Sequence, residues 1–156
     1  MDISKLHWPL IFEELVKILL IFLLVSNVAL AEKVTDFELI SYPDHKKIKL
    51  SELARNKKIV LNFWATWCTS CVREIAILED LKKRYHSEAE FIAIDAGESD
   101  NLIKRFIAKH TFSYNILIDE NRLYSKSLGV TALPVTMVID KDMNIIYREN
   151  VPPNTL

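Results

Sequence analysis

The chain contains only two cysteines, Cys68 and Cys71, which lie three residues apart within W-A-T-W-C-T-S-C. Two thiols at this spacing can form a structural disulfide, contribute to a metal site, or cycle between dithiol and disulfide as a redox centre. Each role makes a different demand on the rest of the chain. The surrounding sequence therefore has to distinguish between them.

A structural zinc site is the first alternative, and it requires four protein ligands. The sequence has no second cysteine pair and no H-x(3–5)-H pattern. His45, His86 and His110 are scattered along the chain, as is typical of surface or loop residues. We therefore expect no metal and no other cofactor.

A purely structural disulfide is the second alternative. A bridge between residues three apart closes a very small loop, so it restricts the unfolded chain little. A C-x-x-C that follows a strand and opens a helix is instead typical of a redox centre. The pattern favours a redox-active dithiol at Cys68 and Cys71.

The elements around the cysteines support this interpretation. Residues 58–65, K-I-V-L-N-F-W-A, form an apolar run typical of a strand that is buried on both faces. The next apolar residues recur at helical spacing on one face: Cys71, Ile75, Leu78, Leu81 and Tyr85. Cys68 is therefore predicted at the helix N-terminus, where free N–H groups and the helix dipole stabilise a thiolate. We expect an exposed Cys68 of low pKa and a buried Cys71.

The remaining periodicity alternates between strands and helices. Strands are predicted over residues 91–96, 116–119, 135–139 and 145–148, and helices over residues 99–110 and 121–128. Residues 37–40 and 47–50 are predicted to pair as a hairpin across S-Y-P-D-H. This order indicates an α/β fold with a mixed sheet flanked by helices.

The N-terminus is predicted to be separate from this domain. Residues 18–25 are uniformly apolar, and Ala29 and Ala31 supply an A-x-A cleavage pattern typical of a secretory signal. The long preceding segment and its acidic residues are atypical of such a signal, so an uncleaved membrane anchor and a buried helix of the domain are the alternatives. We assign residues 1–31 to a signal peptide or membrane anchor and residues 32–156 to the folded domain, located outside the cytoplasm.

The charge distribution argues against one class of partner. The formal net charge is −1 for the whole chain, and no basic run is present. Proteins that bind nucleic acid need a basic patch to neutralise phosphates. We therefore do not expect a nucleic-acid partner.

Two motifs together resemble the thioredoxin superfamily: F-W-A-T-W-C-T-S-C, and G-V-T-A-L-P-V-T-M-V-I-D at residues 129–140. The resemblance spans residues 36–148 and is closest to the TlpA/ResA branch of extracytoplasmic thiol-disulfide oxidoreductases. This branch includes thioredoxin-like reductants of cytochrome c biogenesis. The resemblance implies a thioredoxin fold, a central mixed β-sheet flanked by helices, here with an N-terminal hairpin extension. Members usually add a C-terminal helix, which we expect to be missing after the last strand of this chain.

The resemblance also implies roles for individual residues. Pro134 matches a cis proline that faces the C-x-x-C, and Leu133 before it matches a residue whose backbone binds an extended substrate. Glu98 matches an acidic residue near the substrate groove, and we expect Trp67 on the apolar rim around the site. Glu74 matches a glutamate that tunes the active-site thiols in the cytochrome c branch; a plain helix-dipole role is the alternative.

One departure concerns proton transfer. Asn62 stands where cytoplasmic thioredoxins carry a buried Asp, and an amide cannot take a proton from the inner thiol. We therefore expect Glu74 to handle that proton.

The function implied is reduction of disulfides in partner proteins, such as apocytochrome c. Cys68 would attack the substrate disulfide and Cys71 would resolve the mixed disulfide. The resemblance further implies a membrane thiol carrier that supplies electrons. A thiol oxidase or isomerase on the same fold, and a redox-silent binding module, are the alternatives.

Overall fold

The computed structural model describes residues 12–19, 32–54 and 56–156. The chain divides into two compact units, Met1–Leu30 and Ala31–Leu156. In the first unit, residues 12–19 form a helix, α1. The A-x-A pattern and the apolar run beyond residue 19 lie outside the described residues. Among the helices that the structure describes, none is both long and apolar enough to span a membrane.

The second unit is built on a seven-stranded mixed sheet in the order β2-β1-β5-β4-β3-β6-β7. The strands are β1 Glu38–Tyr42, β2 Lys47–Lys49, β3 Lys58–Trp64, β4 Ala89–Asp95, β5 Asn115–Ile118, β6 Val135–Ile139 and β7 Ile145–Glu149. The three central neighbours β3, β4 and β5 run parallel. The other pairs are antiparallel. Every strand predicted from the sequence is present, including the hairpin of β1 and β2.

The helices are α2 Leu50–Leu53, α3 Thr69–Tyr85, α4 Asp100–Ile107 and α5 Leu123–Ser127. The helix predicted to start at residue 121 begins later, because Asn121 and Arg122 both have positive φ values, 58° and 57°. These two residues belong instead to a short 3₁₀ turn, Glu120–Arg122. The four-residue helix α2 was not predicted, and α4 ends before His110.

The central strand β3 is buried on both faces, as predicted. Its side chains alternate between two apolar clusters: Leu61 and Phe63 belong to one, and Val60 and Trp64 to the other. The apolar face of α3 packs into the second cluster. Burial on both sides fixes the register of β3, and therefore the position of the residues that follow Trp64.

Residues 150–156 follow β7 without forming a helix. Pro152 and Pro153 in this segment are buried.

Candidate redox site

The two cysteines lie where β3 passes into α3. Cys68 is the N-cap of α3, and Cys71 lies in its first turn. Their sulfurs are 1.98 Å apart and form a disulfide. The backbone N–H of Cys71 donates to Cys68 Sγ over 3.2 Å. The same N–H would stabilise negative charge on Cys68 after reduction, since a donor aimed at a thiolate lowers its pKa.

The expected exposure of Cys68 is wrong for this oxidised state. Cys68 is 5% exposed and Cys71 is 4% exposed. Cys68 Sγ is bonded to a residue on the buried face of α3, and the pair lies in the apolar cluster that contains Trp64. Leu133 packs against the same cluster. The disulfide therefore lies just below the surface, not on it.

Glu74 lies one turn after Cys71, on the same side of α3. It is only 7% exposed, and its Oε2 atom is buried without a hydrogen-bond partner. Burial disfavours the charged form and raises the pKa of Glu74 to about 7, although the neighbouring Arg73 charge opposes the shift. A carboxyl group that titrates near neutral pH is suited to accept and return protons.

The loop before β6 carries the predicted cis proline, and the Leu133–Pro134 peptide bond is indeed cis. Val135 pairs with Phe63 of β3, so Pro134 lies next to the end of β3 from which the cysteine loop departs. Asn150 Nδ2 donates to Pro134 O over 2.8 Å. This hydrogen bond holds the segment after β7 against the proline loop.

A groove of about 1000 Å³ adjoins this region. Its walls come from the first turns of α3, from the proline loop, and from β7 with the segment that follows it. The lining includes Ser70, Glu74, Leu133, Pro134 and Tyr147. The groove brings Glu74 together with the proline loop, two features predicted from separate motifs.

The two tryptophans of the motif differ in exposure. Trp67 is 66% exposed beside Cys68. Trp64 is 1% exposed, and its ring centroid lies 4.9 Å from that of Phe106 and 5.1 Å from that of Phe112. Trp64 is therefore part of the core, whereas Trp67 is available to a partner molecule.

Glu98 lies in the connection between β4 and α4. Its Oε2 atom accepts from the backbone N–H of Thr66 over 2.5 Å, and its Oε1 atom accepts from Thr66 Oγ1 over 2.6 Å. Its predicted contact with substrate stays a prediction, since both oxygens already have a partner within the chain. Sequence reasoning missed the neighbouring Asp95, which is fully buried. An acidic residue ending an apolar strand was the available signal.

Asn62 is buried on β3 and donates from Nδ2 to Thr136 Oγ1 on β6 over 3.2 Å. Asn62 and Thr136 therefore form a neutral pair below the cysteines, at the position where the resemblance implies an acid in cytoplasmic thioredoxins. Within the described ranges, no cluster of three or more His, Cys, Asp or Glu side chains is arranged to hold a metal ion.

Comparison with known proteins identifies the class. Residues 29–155 match the redoxin family, and the chain belongs to that family. Thiol-disulfide oxidoreductase ResA from Bacillus thuringiensis is 36% identical over 104 residues, which are 66% of this chain and 60% of that protein. The predicted resemblance to the TlpA/ResA branch is confirmed. The chain spans less than two thirds of the length of this relative.

Solved structures confirm the thioredoxin fold. A thiol-disulfide oxidoreductase from Bacteroides fragilis matches with a TM-score of 0.71 and 24% identity, over 80% of this chain and 94% of that one. A secreted Mycobacterium tuberculosis disulfide oxidoreductase, homologous to Escherichia coli DsbE, matches with a TM-score of 0.64 and 19% identity. That match covers 77% of this chain and 87% of the other. At these identities the likeness concerns the fold alone.

Proposed function

We propose that this protein is a thiol-disulfide oxidoreductase that reduces disulfides in partner proteins through Cys68 and Cys71. The observation that carries the proposal is the Cys68–Cys71 disulfide at the N-terminus of α3, with its first-turn N–H aimed at Cys68 Sγ. Membership of the redoxin family and the 36% identity to ResA support the same chemistry.

The reaction starts from the reduced protein. The Cys68 thiolate attacks one sulfur of the substrate disulfide, forms a mixed disulfide and releases one substrate thiolate. Cys71 then loses its proton and attacks Cys68 Sγ, which frees the second substrate thiolate and leaves the Cys68–Cys71 disulfide. Two electrons pass to the substrate. The dipole of α3 favours the thiolate on Cys68, which makes Cys68 the nucleophile of the first step.

Glu74 is the proposed acceptor of the Cys71 proton. It follows Cys71 by one helical turn, and its buried Oε2 has no other partner. Its pKa of about 7 lets it take a proton from a thiol and return it to solvent through the adjoining groove. The neutral Asn62 beneath the site cannot do this.

The proposed substrate contacts surround the disulfide. The backbone of Leu133, next to cis Pro134, would pair with an extended peptide in the manner of an added strand. The exposed ring of Trp67 would cover the apolar part of that peptide, and Glu98 is the further candidate contact. The groove beside Glu74 and Pro134 gives the peptide room on one side of the cysteines.

We further propose an extracytoplasmic location, with residues 1–31 serving as a signal peptide or membrane anchor. The A-x-A pattern and the apolar run before it support this location. In an oxidising compartment a reductase must be reduced again after each turnover. A membrane thiol carrier is the proposed electron source, and apocytochrome c is the proposed substrate.

Trapping experiments test the roles of the two cysteines. Reduced Cys71→Ser, mixed with a peptide that contains an internal disulfide, should accumulate a mixed disulfide through Cys68. Cys68→Ser should trap at least about tenfold more slowly, since Cys71 lies on the buried face of α3 and not at its N-cap. Mass spectrometry of the products measures both. Equal trapping by the two variants would contradict the assignment.

The substrate proposal has a separate test. The wild-type protein should reduce an oxidised peptide with the haem-attachment sequence C-x-x-C-H faster than a peptide of the same length and charge with an unrelated disulfide. Equal rates would remove the argument for apocytochrome c while leaving the thiol chemistry intact.

A further inference from the structure

The connection after β4 lies beside the loop that leads to Cys68. In the parallel pair β3 and β4, Trp64 is opposite Asp95. The backbone N–H of Ala96 extends the pairing by donating to Trp64 O over 3.1 Å. Residues 65–67 and residues 96–98 therefore leave the sheet side by side.

The Asp95 side chain binds the backbone of the connection between β4 and α4. Its side chain is fully buried, and Oδ1 accepts from the backbone N–H groups of Gly97 at 3.0 Å and Glu98 at 2.7 Å. Oδ2 is buried and has no N–H or hydroxyl partner. The other carboxyl group beside Asp95 is that of Glu98, whose charge raises the pKa of Asp95.

Two adjacent carboxyl groups repel each other when both are ionised, so the more buried of the two favours its protonated form. Burial is the largest cause that raises the pKa of Asp95 to about 7, and the adjacent Glu98 charge adds to it. Glu98 meanwhile binds both the N–H and the hydroxyl of Thr66, as an ionised carboxylate does. The proton therefore belongs on Asp95.

We propose, building on the thiol-exchange function above, that Asp95 and Glu98 are positioning residues for Cys68. Asp95 Oδ1 accepts from the backbone N–H groups of Gly97 and Glu98, and the Glu98 carboxylate in turn holds Thr66, two residues before Cys68, in place. The two carboxyl groups fix the backbone that presents Cys68 to its substrate. Neither of them touches the reacting sulfurs.

The proposal predicts a dependence on pH. The acidic groups next to Asp95 are Glu98 in its own connection and Asp119 after β5. The N–H of Asp119 donates to Asp95 O over 3.0 Å, and its carboxylate is held by the N–H groups of Tyr124 and Ser125. When Asp95 loses its proton, the Asp95 and Glu98 carboxylates repel each other. We expect this repulsion to weaken the hydrogen bonds from Thr66 to Glu98.

The direct test follows the Thr66 amide by NMR in the oxidised protein. The Thr66 proton resonance should move with a midpoint near pH 7 in the wild type. In Asp95→Asn, whose amide oxygen can still accept from the Gly97 and Glu98 N–H groups but which cannot ionise, the resonance should stay constant over the same range. A Thr66 titration that is unchanged in Asp95→Asn would overturn the proposal, as would the absence of titration in the wild type.

The functional test measures the rate at which reduced protein reacts with the neutral probe 2-hydroxyethyl disulfide. Asp95→Ala should react about fivefold more slowly than wild type, the equivalent of one lost buried hydrogen bond. Asp95→Asn should restore the rate below pH 7. The control Asp100→Asn, whose carboxylate contacts exposed His45, should behave as wild type. An Asp95→Ala rate equal to wild type would refute the positioning role.

Failure of the two proposals can be told apart. If wild-type protein does not reduce the probe, the proposed oxidoreductase function fails. The Thr66 titration is measured in the oxidised state and does not depend on that activity, so it still decides whether Asp95 and Glu98 hold the loop.

Discussion

Glu74 is the residue on which proton transfer depends in this account. It is a buried acid with one unpartnered oxygen, close in sequence to a thiol that must lose a proton. A carboxyl group in this state lowers stability when it is charged, because its buried oxygen has no hydrogen-bond partner to replace the water it has lost. The position of Glu74 is therefore explained better by chemistry than by stability.

The burial of Glu74 predicts how the stability of the protein depends on pH. The pKa of Glu74 rises from its usual value of 4.5 to about 7, so between these values the folded chain holds a proton that the unfolded chain has lost. Stability therefore falls as pH rises through this window. Glu74→Gln cannot ionise and should be more stable than wild type above pH 7, by about 1 to 3 kcal/mol.

Urea unfolding of the oxidised proteins at several pH values between 4 and 8 measures this difference. Glu88→Gln, which removes an exposed glutamate before β4, is the matched control and should follow the wild type. Part of the pH dependence should survive in Glu74→Gln, since Asp95 titrates with the same sign. Parallel curves for wild type and Glu74→Gln would contradict the assigned burial.

The same variant tests the chemical role. Without Glu74 the proton of Cys71 has no nearby acceptor, so Glu74→Gln should shift the pH profile of thiol alkylation and slow the exchange reaction. The fold should be retained, since Gln has nearly the same size and shape. Unchanged titration and rates would remove Glu74 from the mechanism.

At the scale of elements, the β3–α3 unit was predictable and its neighbours were less so. Apolar runs and helical spacing placed β3, α3 and the cysteines at their junction, and motif resemblance identified Pro134. The burial of Cys68 depends on packing against distant residues such as Leu133, which local sequence does not encode. The contact of Glu98 with Thr66 likewise requires two loops, 32 residues apart, to leave the sheet together.

The connection after β4 also depends on one glycine. Gly97 has a φ of +84°, and a Cβ atom there would lie 2.9 Å from Asp119 O. Gly97→Ala should therefore be destabilised by about 1 to 3 kcal/mol, because the backbone is strained and the carbonyl cannot move freely.

Gly129 provides the comparison. It has a φ of +67°, but an added Cβ atom would meet only the flexible end of Arg148, at 3.4 Å. Gly129→Ala should therefore cost less than Gly97→Ala in thermal unfolding. If the two variants lose the same stability, the close approach of Asp119 to the connection is not what constrains residue 97.

At the scale of the molecule, the Ala31–Leu156 unit includes the short segment before β1. Ile145 N donates to Glu32 O over 2.8 Å, and Val34 N donates to Met143 O over 2.9 Å. Val34 is also buried, at 5% exposure. Residues 32–35 therefore stabilise the turn between β6 and β7, which supports a domain boundary close to residue 31.

Two truncations test that boundary. Residues 32–156 should unfold cooperatively with the same urea midpoint as the longer chain. Residues 36–156 should be less stable by about 3 kcal/mol, since two backbone hydrogen bonds and the buried valine are lost. Equal stability of the two fragments would place the boundary after residue 35, and failure of residues 32–156 to fold would place it before residue 31.

The central claim is that the Cys68–Cys71 pair works as a protein disulfide reductant. The most direct test is its equilibrium reduction potential, measured by alkylating the free thiols across a series of thiol buffers. We predict a value near that of thioredoxin, about −270 mV, or lower. A value near that of the oxidant DsbA, about −120 mV, would contradict the claim and assign the protein to disulfide formation instead.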